Sequence, residues 1–453
     1  MIYGYLEHMT QAFPDHEAVA PAFRRLPSKF FVECTTRCNL RCAMCVKQTK
    51  GCEIIEADMP LAMFERLLPA MAQADALVLN GVGESLLHPE LPRMVALARQ
   101  AMPQSGWIGF QSNGLLLTRE RAQALLLAGL DRLCLSVDSC SPETLRQVRA
   151  GAELKGLERA LAVLREAQAA TRPEGSRRFE AGVEVVVSDE TLDGLPELIE
   201  WVADRGASFV LASQLLPYDR SAAKGSLFGA SPDACLDFFA PWRSKAIEQG
   251  LDLSRFLAAY FTFLRSEQDV RLIRFVEAMA AEAERKGIPL HLPNLVIEDL
   301  GKLDRVRETF ARAEQAAVRR GLRLTLPAVS PRLDRRCDFM EDGGVFITAS
   351  GDVTPCYFLW HGYSCFLDGA LKRVRPKIFG NVRERELQDI WNGREFQAFR
   401  REVLEYAYPH CGSCTAAPCA DILGEQAFEY DCHGVEVPCG HCPWCSGGFH
   451  CLS

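Results

Sequence analysis

The stretch from Cys34 to Cys45, CTTRCNLRCAMC, constrains this chain more than any other part of its sequence. Cys38, Cys42 and Cys45 form a CxxxCxxC pattern directly after a short β-forming run, KFFVE at residues 29–33, so the three thiols are expected on a loop that leaves a strand. Three thiolates can bind three irons of a 4Fe–4S cluster and leave the fourth iron open to another ligand. This spacing fits less well to a zinc site, which is more often built from two CxxC pairs, or to a thioredoxin-like redox pair, which needs one CxxC.

At these residues the chain resembles the radical SAM superfamily, whose defining loop has this CxxxCxxC spacing. The resemblance implies that Cys38, Cys42 and Cys45 hold a 4Fe–4S cluster whose open iron binds the amino and carboxylate groups of S-adenosylmethionine (SAM). Cys34 does not fit the spacing and is expected to be a strand residue. Met44 stands where the family often has an aromatic residue against adenine, and a flexible thioether can fill the same space.

The composition favours thiolate–metal chemistry over disulfide bonds. The 453 residues include 19 cysteines, yet the N-terminus lacks the basic start and apolar run of a secretory signal peptide. No stretch approaches the roughly 18 consecutive apolar residues of a membrane span. The net charge is −8 and basic runs are short, which speaks against nucleic-acid binding. We therefore expect a soluble, cytoplasmic protein that binds neither nucleic acid nor membranes.

Six β-type runs alternate with helix-type runs between residues 29 and 215. The β-type runs are rich in Val, Leu and Phe on both faces, which predicts a parallel sheet covered by helices, hence an α/β fold. The predicted strands are 29–34, 76–80, 107–112, 132–137, 181–188 and 208–213, and the predicted helices lie near 60–73, 91–101, 119–128, 142–170 and 192–205. The resemblance implies a six-stranded partial (β/α)6 barrel with its chemistry at the C-terminal ends of the strands.

Several predicted strands end in residues that resemble the SAM-binding motifs of the family. Gly81, Gly83 and Glu84 resemble the motif that receives the methionyl amino group, since glycines allow close backbone approach and a carboxylate accepts hydrogen bonds from an ammonium. Taken alone, this stretch is equally a glycine turn beside a solvated glutamate, and Asn-Gly is an ordinary turn sequence. By the same resemblance, the ribose and methionine parts of SAM are contacted by Ser112, Asn113, Ser136 and Asp138, and the SAM carboxylate is paired with Arg149.

Beyond the barrel at 29–215, the sequence suggests three further parts. Residues 1–28 are expected to form an N-terminal arm, and residues 216–330 a mainly helical insertion or barrel extension. Residues 331–453 contain eleven cysteines, a density that predicts a cysteine-rich, metal-binding C-terminal domain.

This C-terminal part resembles the SPASM extension of radical SAM enzymes, which carries two auxiliary 4Fe–4S clusters. The similar features are a glycine followed after four residues by Cys356, a Gly-Asn-Val turn at 380–382 and an Ile-Trp-Asn sequence at 390–392. The resemblance implies that the auxiliary clusters are ligated from among Cys337, Cys356, Cys411, Cys414, Cys419, Cys432, Cys439, Cys442 and Cys445.

The spacing of these cysteines departs from the family pattern, because Leu423 stands where one family cysteine falls. Two fully ligated clusters need about eight thiolates, so some cysteines are left over. A zinc site remains an alternative for residues 439–451, with His441 and His450 as further donors. No role follows from the sequence for Cys34, Cys52, Cys365 and Cys451.

Taken together, the resemblance implies a radical SAM enzyme of the SPASM subgroup that cleaves SAM reductively to a 5'-deoxyadenosyl radical. Its expected substrate is a peptide or protein, on which it would act as a maturase of a metalloenzyme, with electrons from a low-potential donor such as a ferredoxin or flavodoxin. A radical SAM dehydrogenase or epimerase of a small molecule would carry the same motifs. A non-catalytic iron–sulfur electron-transfer or scaffold protein would need neither Glu84 nor Arg149. The sequence identifies no catalytic acid or base.

Overall fold

The computed structural model describes residues 20–49, 52–171, 179–367, 370–408 and 438–452. The predicted ligands Cys411, Cys414, Cys419 and Cys432 lie outside the described residues, as does the predicted N-terminal arm up to residue 19.

The centre of the molecule is a parallel sheet whose six middle strands are those expected from the sequence. They pair in chain order, each with the next, and nearly all of their Val, Leu and Phe side chains are buried. Their bounds are β1 Lys29–Val32, β2 Ala76–Val78, β3 Trp107–Ser112, β4 Arg132–Ser136, β5 Glu180–Val187 and β6 Phe209–Gln214. The predicted α/β class with a parallel sheet is confirmed.

The sheet is wider than the six strands predicted: in the described residues it has ten strands, in the order β12-β9-β8-β1-β2-β3-β4-β5-β6-β7. At one edge β7 (Arg323–Thr325) pairs in parallel with β6. At the other edge β8 (Gly344–Ile347) pairs in parallel with β1, followed by the antiparallel β9 (Asp352–Thr354) and β12 (Gly380–Asn381). The C-terminal part therefore continues the barrel sheet beside the strand that precedes the cysteine loop. A separate hairpin pairs β10 (Tyr363–Leu367) with β11 (Ala370–Val374).

Helices cover this sheet where the apolar periodicity predicts them. The predicted helix at 142–170 is in fact two helices, because the chain turns at Gly151, whose φ of +96° lies in the left-handed region that favours glycine. The barrel helices are α1 Leu61–Glu65, α2 Leu91–Ala101, α3 Arg119–Ala128, α4 Pro142–Val148, α5 Leu154–Thr171 and α6 Leu195–Asp204.

The segment after β6 is mainly helical, as expected, and it has a second hydrophobic core of its own. Its helices are α7 Asp233–Glu248, α8 Phe256–Phe261, α9 Glu267–Arg285, α10 Leu292–Ile297 and α11 Leu300–Arg320. The C-terminal part adds α12 Asp338–Glu341, α13 Leu387–Trp391 and α14 Arg394–Glu405. Within the described ranges, no helix combines the length and the apolar content that crossing a membrane requires.

Candidate active site

The C-terminal ends of the barrel strands surround a cavity of about 320 Å³. The three cysteines of the loop after β1 line one side of it, together with Met44. The same cavity is lined by Gly81, Gly83, Glu84, Ser112, Asn113, Ser136 and Arg149. The structure thus brings together every residue predicted to bind the cluster of the cysteine loop or SAM, with the exception of Asp138.

The loop that carries Cys38, Cys42 and Cys45 is held by its neighbours. Arg37 donates from Nε and Nη2 to the two carboxylate oxygens of Asp58, at 3.0 and 2.6 Å. Burial raises the pKa of all three thiols, and the charges of the neighbouring thiols of the loop raise the pKa of Cys38 and Cys45 further. Cys34 is buried just past β1 and is not in the cavity wall, which agrees with its exclusion from the cluster.

Glu84 is fixed before any ligand arrives. Its carboxylate accepts hydrogen bonds from Ser112 Oγ at 2.7 Å, from the Asn113 backbone N–H at 2.7 Å and from the Leu86 N–H at 3.1 Å. Burial raises the pKa of Glu84, and these three donors oppose that shift. A carboxylate held by backbone and hydroxyl donors at a cavity wall can accept from an ammonium group without further reorganisation. At Gly83 a side chain would collide with the carbonyl oxygen of Thr35, so the strand end needs glycine there.

Arg149 lines the cavity, while Asp138 lies behind it. Arg149 donates from Nε and Nη2 to the two oxygens of Asp138, at 2.6 and 3.2 Å, and Asp138 also accepts from the Val186 N–H at 2.9 Å. The Asp138 side chain has no exposed surface, and that of Arg149 is 12% exposed. Asp138 was predicted to contact SAM directly. The structure shows the Asp138 carboxylate paired with Arg149 and outside the cavity wall, and its contact with SAM stays a prediction.

The sequence did not single out a hydrogen-bonded chain that crosses the cavity floor. Tyr357 donates to Asn80, Asn80 donates to Gln111, and Gln111 donates to Glu184. All four side chains line the cavity. The available signal was a long polar side chain in the interior of each of two mostly apolar strands, Gln111 in β3 and Glu184 in β5. Tyr357 is far away in sequence and has no such signal.

A second overlooked residue, Glu33, ties the cavity to the C-terminal part. It accepts hydrogen bonds from the Val82 N–H at 3.0 Å and from the Ala349 N–H at 3.1 Å, and His361 Nε2 lies 3.1 Å from its carboxylate. Glu33 has no exposed surface. Buried carboxylates with several partners are costly to disturb, so this contact fixes the glycine turn against strand β8 and the segment that follows it.

Glu184 makes the stability of the fold depend on pH. Burial raises its pKa from 4.5 to about 7, although the charge of Arg149 opposes the shift. Between these two pH values the folded protein binds more protons than the unfolded chain. The contribution of Glu184 to the free energy of unfolding is therefore fully present below pH 4.5 and declines as the pH rises towards 7. We expect the free energy of unfolding of the Glu184→Gln variant to lack this decline. Relative to wild type, it should increase by about 3 kcal/mol between pH 4.5 and 7. Urea unfolding curves at several pH values test this, and parallel pH profiles for the two proteins would contradict it.

The C-terminal cysteines meet in a second place. Cys337, Cys439, Cys442 and Cys445 line one small apolar cavity, in which the first three thiols interact with the sulfur of Cys445 and Tyr408 Oη donates to it at 3.6 Å. These donors lower the pKa of Cys445, whereas the pKa of the other three thiols is raised by hydrogen bonding to Cys445 and by burial. Cys356 lines the same small apolar cavity. Five of the predicted metal ligands therefore lie together, and they come from stretches about a hundred residues apart.

Both groups of thiols suit iron–sulfur clusters in their donor chemistry and in their shared location. In the described part of the chain, no group of three or more metal-binding side chains is arranged around a common point as a finished metal site. The structure therefore agrees with the prediction in which thiols lie near one another, and it does not show the geometry of a bound cluster.

Comparison with known protein families gives two matches. The model of the radical SAM superfamily matches residues 32–202. The SPASM model, which describes an iron–sulfur cluster-binding domain, matches residues 337–415. The first match contains the three cysteines of the loop after β1. The second contains Cys337 and Cys356 and ends before the cysteines at 439–445.

Two curated relatives illustrate the similarity. The tungsten-containing aldehyde ferredoxin oxidoreductase cofactor-modifying protein of Pyrococcus furiosus is 26% identical over 421 residues, which cover 91% of this chain and 94% of that protein. The GTP 3',8-cyclase of Chlorobaculum tepidum is 36% identical over 114 residues, which cover 24% of this chain and 32% of the cyclase.

Solved structures with a similar chain path have low sequence identity. Streptococcus suis SuiB bound to S-adenosylmethionine is 12% identical with a TM-score of 0.47, over 83% of this chain and 68% of SuiB. The native anSMEcpe structure with bound AdoMet is 14% identical with a TM-score of 0.46, over 82% of each chain.

Proposed function

Because this chain is a radical SAM enzyme with a C-terminal SPASM iron–sulfur domain, we propose that it is a maturase that acts on a peptide or protein substrate, namely a partner metalloenzyme of the tungsten-dependent type. Its cofactors are 4Fe–4S clusters and SAM. The observation that carries the proposal is the match to the Pyrococcus furiosus cofactor-modifying protein, which extends over nearly the whole of both chains.

The cavity residues have separate tasks in this proposal. Cys38, Cys42 and Cys45 would hold the 4Fe–4S cluster, which would supply the electron for the reductive cleavage of SAM. Glu84 accepts hydrogen bonds from the ammonium group of SAM, since its own donors already hold it at the cavity wall. Arg149, which lines the cavity and is paired with Asp138, would bind the carboxylate of SAM. The remaining predicted contacts to SAM are Gly81, Gly83, Ser112, Asn113 and Ser136.

The C-terminal part would hold the auxiliary clusters. We assign Cys337, Cys439, Cys442 and Cys445 to one cluster because their thiols already interact, with Cys356 beside them. Clusters held by these residues would supply one-electron redox chemistry near the first cavity, and a ferredoxin or flavodoxin would supply the reducing electrons.

A second cavity gives room for a substrate beside SAM. It has a volume of about 380 Å³, lies between the helical segment and the C-terminal residues, and shares Leu215 and Phe449 with the first cavity. A group that is attached to a larger partner could enter through it, which is the arrangement that a maturase needs.

The proposal is tested by adding a tungsten-dependent aldehyde oxidoreductase to the anaerobically reconstituted and reduced protein with SAM. We expect 5'-deoxyadenosine to form and its yield to rise several-fold with the partner, accompanied by a mass change in the partner or its extracted cofactor. An unrelated iron–sulfur protein of similar size is the control. Cleavage of SAM that the partner does not stimulate, with no change in partner mass, would reject the maturase assignment while leaving the radical SAM activity intact.

A further inference from the structure

The last residues of the described chain enter the mouth of the barrel. This C-terminal segment, residues 444–451, begins two residues after Cys442, contains Cys445 and is held by four hydrogen bonds to its backbone. The donors are the backbone N–H groups of Gln214, Ala328, Arg332 and Arg336, which bond the carbonyl oxygens of Gly448, Gly447, Ser446 and Cys445 at 2.9, 2.8, 3.0 and 3.0 Å. The segment is therefore fixed between the end of β6 and the chain that follows β7.

Four side chains of this segment line the barrel cavity together with the cysteine loop, Glu84 and Arg149: Trp444, Phe449, His450 and Cys451. Cys451 is the one cysteine among the described residues that lines this cavity and does not belong to the CxxxCxxC loop. Burial raises the pKa of its thiol to about 12, and Lys29 and Trp444 oppose the shift only in part. The sulfur consequently keeps its hydrogen at neutral pH.

A carboxyl group faces the same cavity, independently of the cysteine. Glu184 lies on β5 with one oxygen, Oε2, fixed by Gln111. Its other oxygen, Oε1, has no hydrogen-bond partner within the described ranges. Burial brings the pKa of Glu184 to about 7, so a large share of the molecules carry a proton on this group under neutral conditions. Glu184 and Cys451 both line this cavity, and the negative charge of Glu184 is one of the influences that raise the pKa of Cys451.

A thiol in this position has a specific chemical consequence. An S–H bond is weaker than the C–H bond of an alkyl group, so a carbon-centred radical takes a hydrogen atom from a thiol readily when the two meet. We propose that Cys451 is a catalytic hydrogen-atom donor, presented by the C-terminal segment to carbon radicals that form in the barrel cavity. This inference rests on the proposed function only in requiring that SAM is cleaved in this cavity.

The step balances in atoms and electrons. Cys451 donates one hydrogen atom, so its S–H bond breaks homolytically, a C–H bond forms at the carbon radical, and a sulfur radical remains. The sulfur radical is then reduced by one electron from an iron–sulfur cluster or from the external low-potential donor. Glu184 supplies the proton that restores the thiol, and solvent reprotonates the carboxylate. The substrate class that fits is a molecule whose radical ends the reaction with a new C–H bond, as in an epimerisation or a reduction.

Deuterium transfer tests this without knowledge of the substrate. The reconstituted protein is exchanged into D2O, reduced with a reagent that contains no thiol, and given SAM alone, so that the thiol of Cys451 is S–D. We expect most of the 5'-deoxyadenosine to carry one deuterium, and at least a fivefold lower deuterium content in the Cys451→Ser variant, because an O–D bond is too strong to donate. The control is Cys140→Ser, a half-buried cysteine that does not line the cavity.

A second measurement does not depend on catalysis. In the oxidised holoenzyme, SAM should slow the alkylation of Cys451 by N-ethylmaleimide at least threefold and leave Cys140 unaffected, as mass spectrometry of the peptides reports. No deuterium in the wild-type product, equal deuterium in Cys451→Ser, or alkylation that SAM does not change would each overturn the inference. If no 5'-deoxyadenosine forms, the proposed function fails, and the alkylation result still decides whether Cys451 faces bound SAM.

Discussion

Changing Cys38, Cys42 and Cys45 together to alanine is expected to abolish 5'-deoxyadenosine formation and to lower bound iron from about twelve to about eight per chain. Without three thiolates the cluster of the barrel cannot bind. Cys337, Cys356, Cys439, Cys442 and Cys445 cannot bind this cluster in place of the loop cysteines, because they line a separate small cavity that contains neither Glu84 nor Arg149. The protein should remain folded, since all three side chains are partly exposed and lie on a loop.

The matched control is Cys52→Ala, which removes a thiol from the same loop region but from outside the cavity wall. Its iron content and product yield should equal those of wild type. Iron, sulfide and zinc are counted on the same samples. A wild-type protein with about four irons and with zinc would contradict the assignment of auxiliary 4Fe–4S clusters and would make the C-terminal thiols a structural zinc site. Product from the triple variant would contradict the assignment of the cysteine loop itself.

Most of the cavity wall could be read from the sequence because its residues follow strands of recognisable pattern. In a parallel sheet all strands end at the same edge, so Glu84, Ser112 and Ser136 had to come close once the strands were placed. The glycine positions carried the same information, since Gly83 leaves no space for a side chain.

The cavity floor was not predictable in the same way. Gln111 and Glu184 lie within strands whose two faces are both largely buried, so alternation gives no sign of which residues point inward. Their hydrogen bonds depend on the pairing register of β3, β4 and β5, which sequence periodicity does not fix. Tyr357 joins them only because β8 pairs with β1, and a four-residue strand far along the chain gives little warning of that pairing.

The grouping of the C-terminal cysteines was hidden for a related reason. Spacing within 439–445 indicates a metal site, but nothing in it identifies Cys337 as a partner. Cys337 comes close to this segment because the preceding residue, Arg336, donates its backbone N–H to the carbonyl oxygen of Cys445 at 3.0 Å. The spacing of cysteines along the sequence can therefore predict which residues are ligands, but it does not predict which cluster each of them binds.

The pairing of Asp138 with Arg149 leads to the largest expected effect on stability. Asp138→Ala leaves the Arg149 guanidinium charged and buried, and it also removes the acceptor of the Val186 N–H. Removing one partner of a buried ion pair typically costs about 3–5 kcal/mol, because the remaining charge is no longer compensated. We expect a loss of that size in urea unfolding, and weaker SAM binding in the protein that remains folded, because Arg149 is no longer held against the cavity.

Two comparisons distinguish this explanation from a general sensitivity to mutation. Asp138→Asn keeps the shape and the acceptor oxygen for Val186 but removes the charge, so its loss of stability should be smaller than that of Asp138→Ala. Glu282→Ala breaks the exposed pair with Lys286 on α9, where solvent already screens both charges, and should leave the unfolding curve unchanged. If Asp138→Ala unfolds at the same urea concentration as wild type, Arg149 must have another partner, and the buried pair does not position it. A stable Asp138→Ala protein that binds SAM normally would further mean that the carboxylate of SAM alone is enough to orient Arg149.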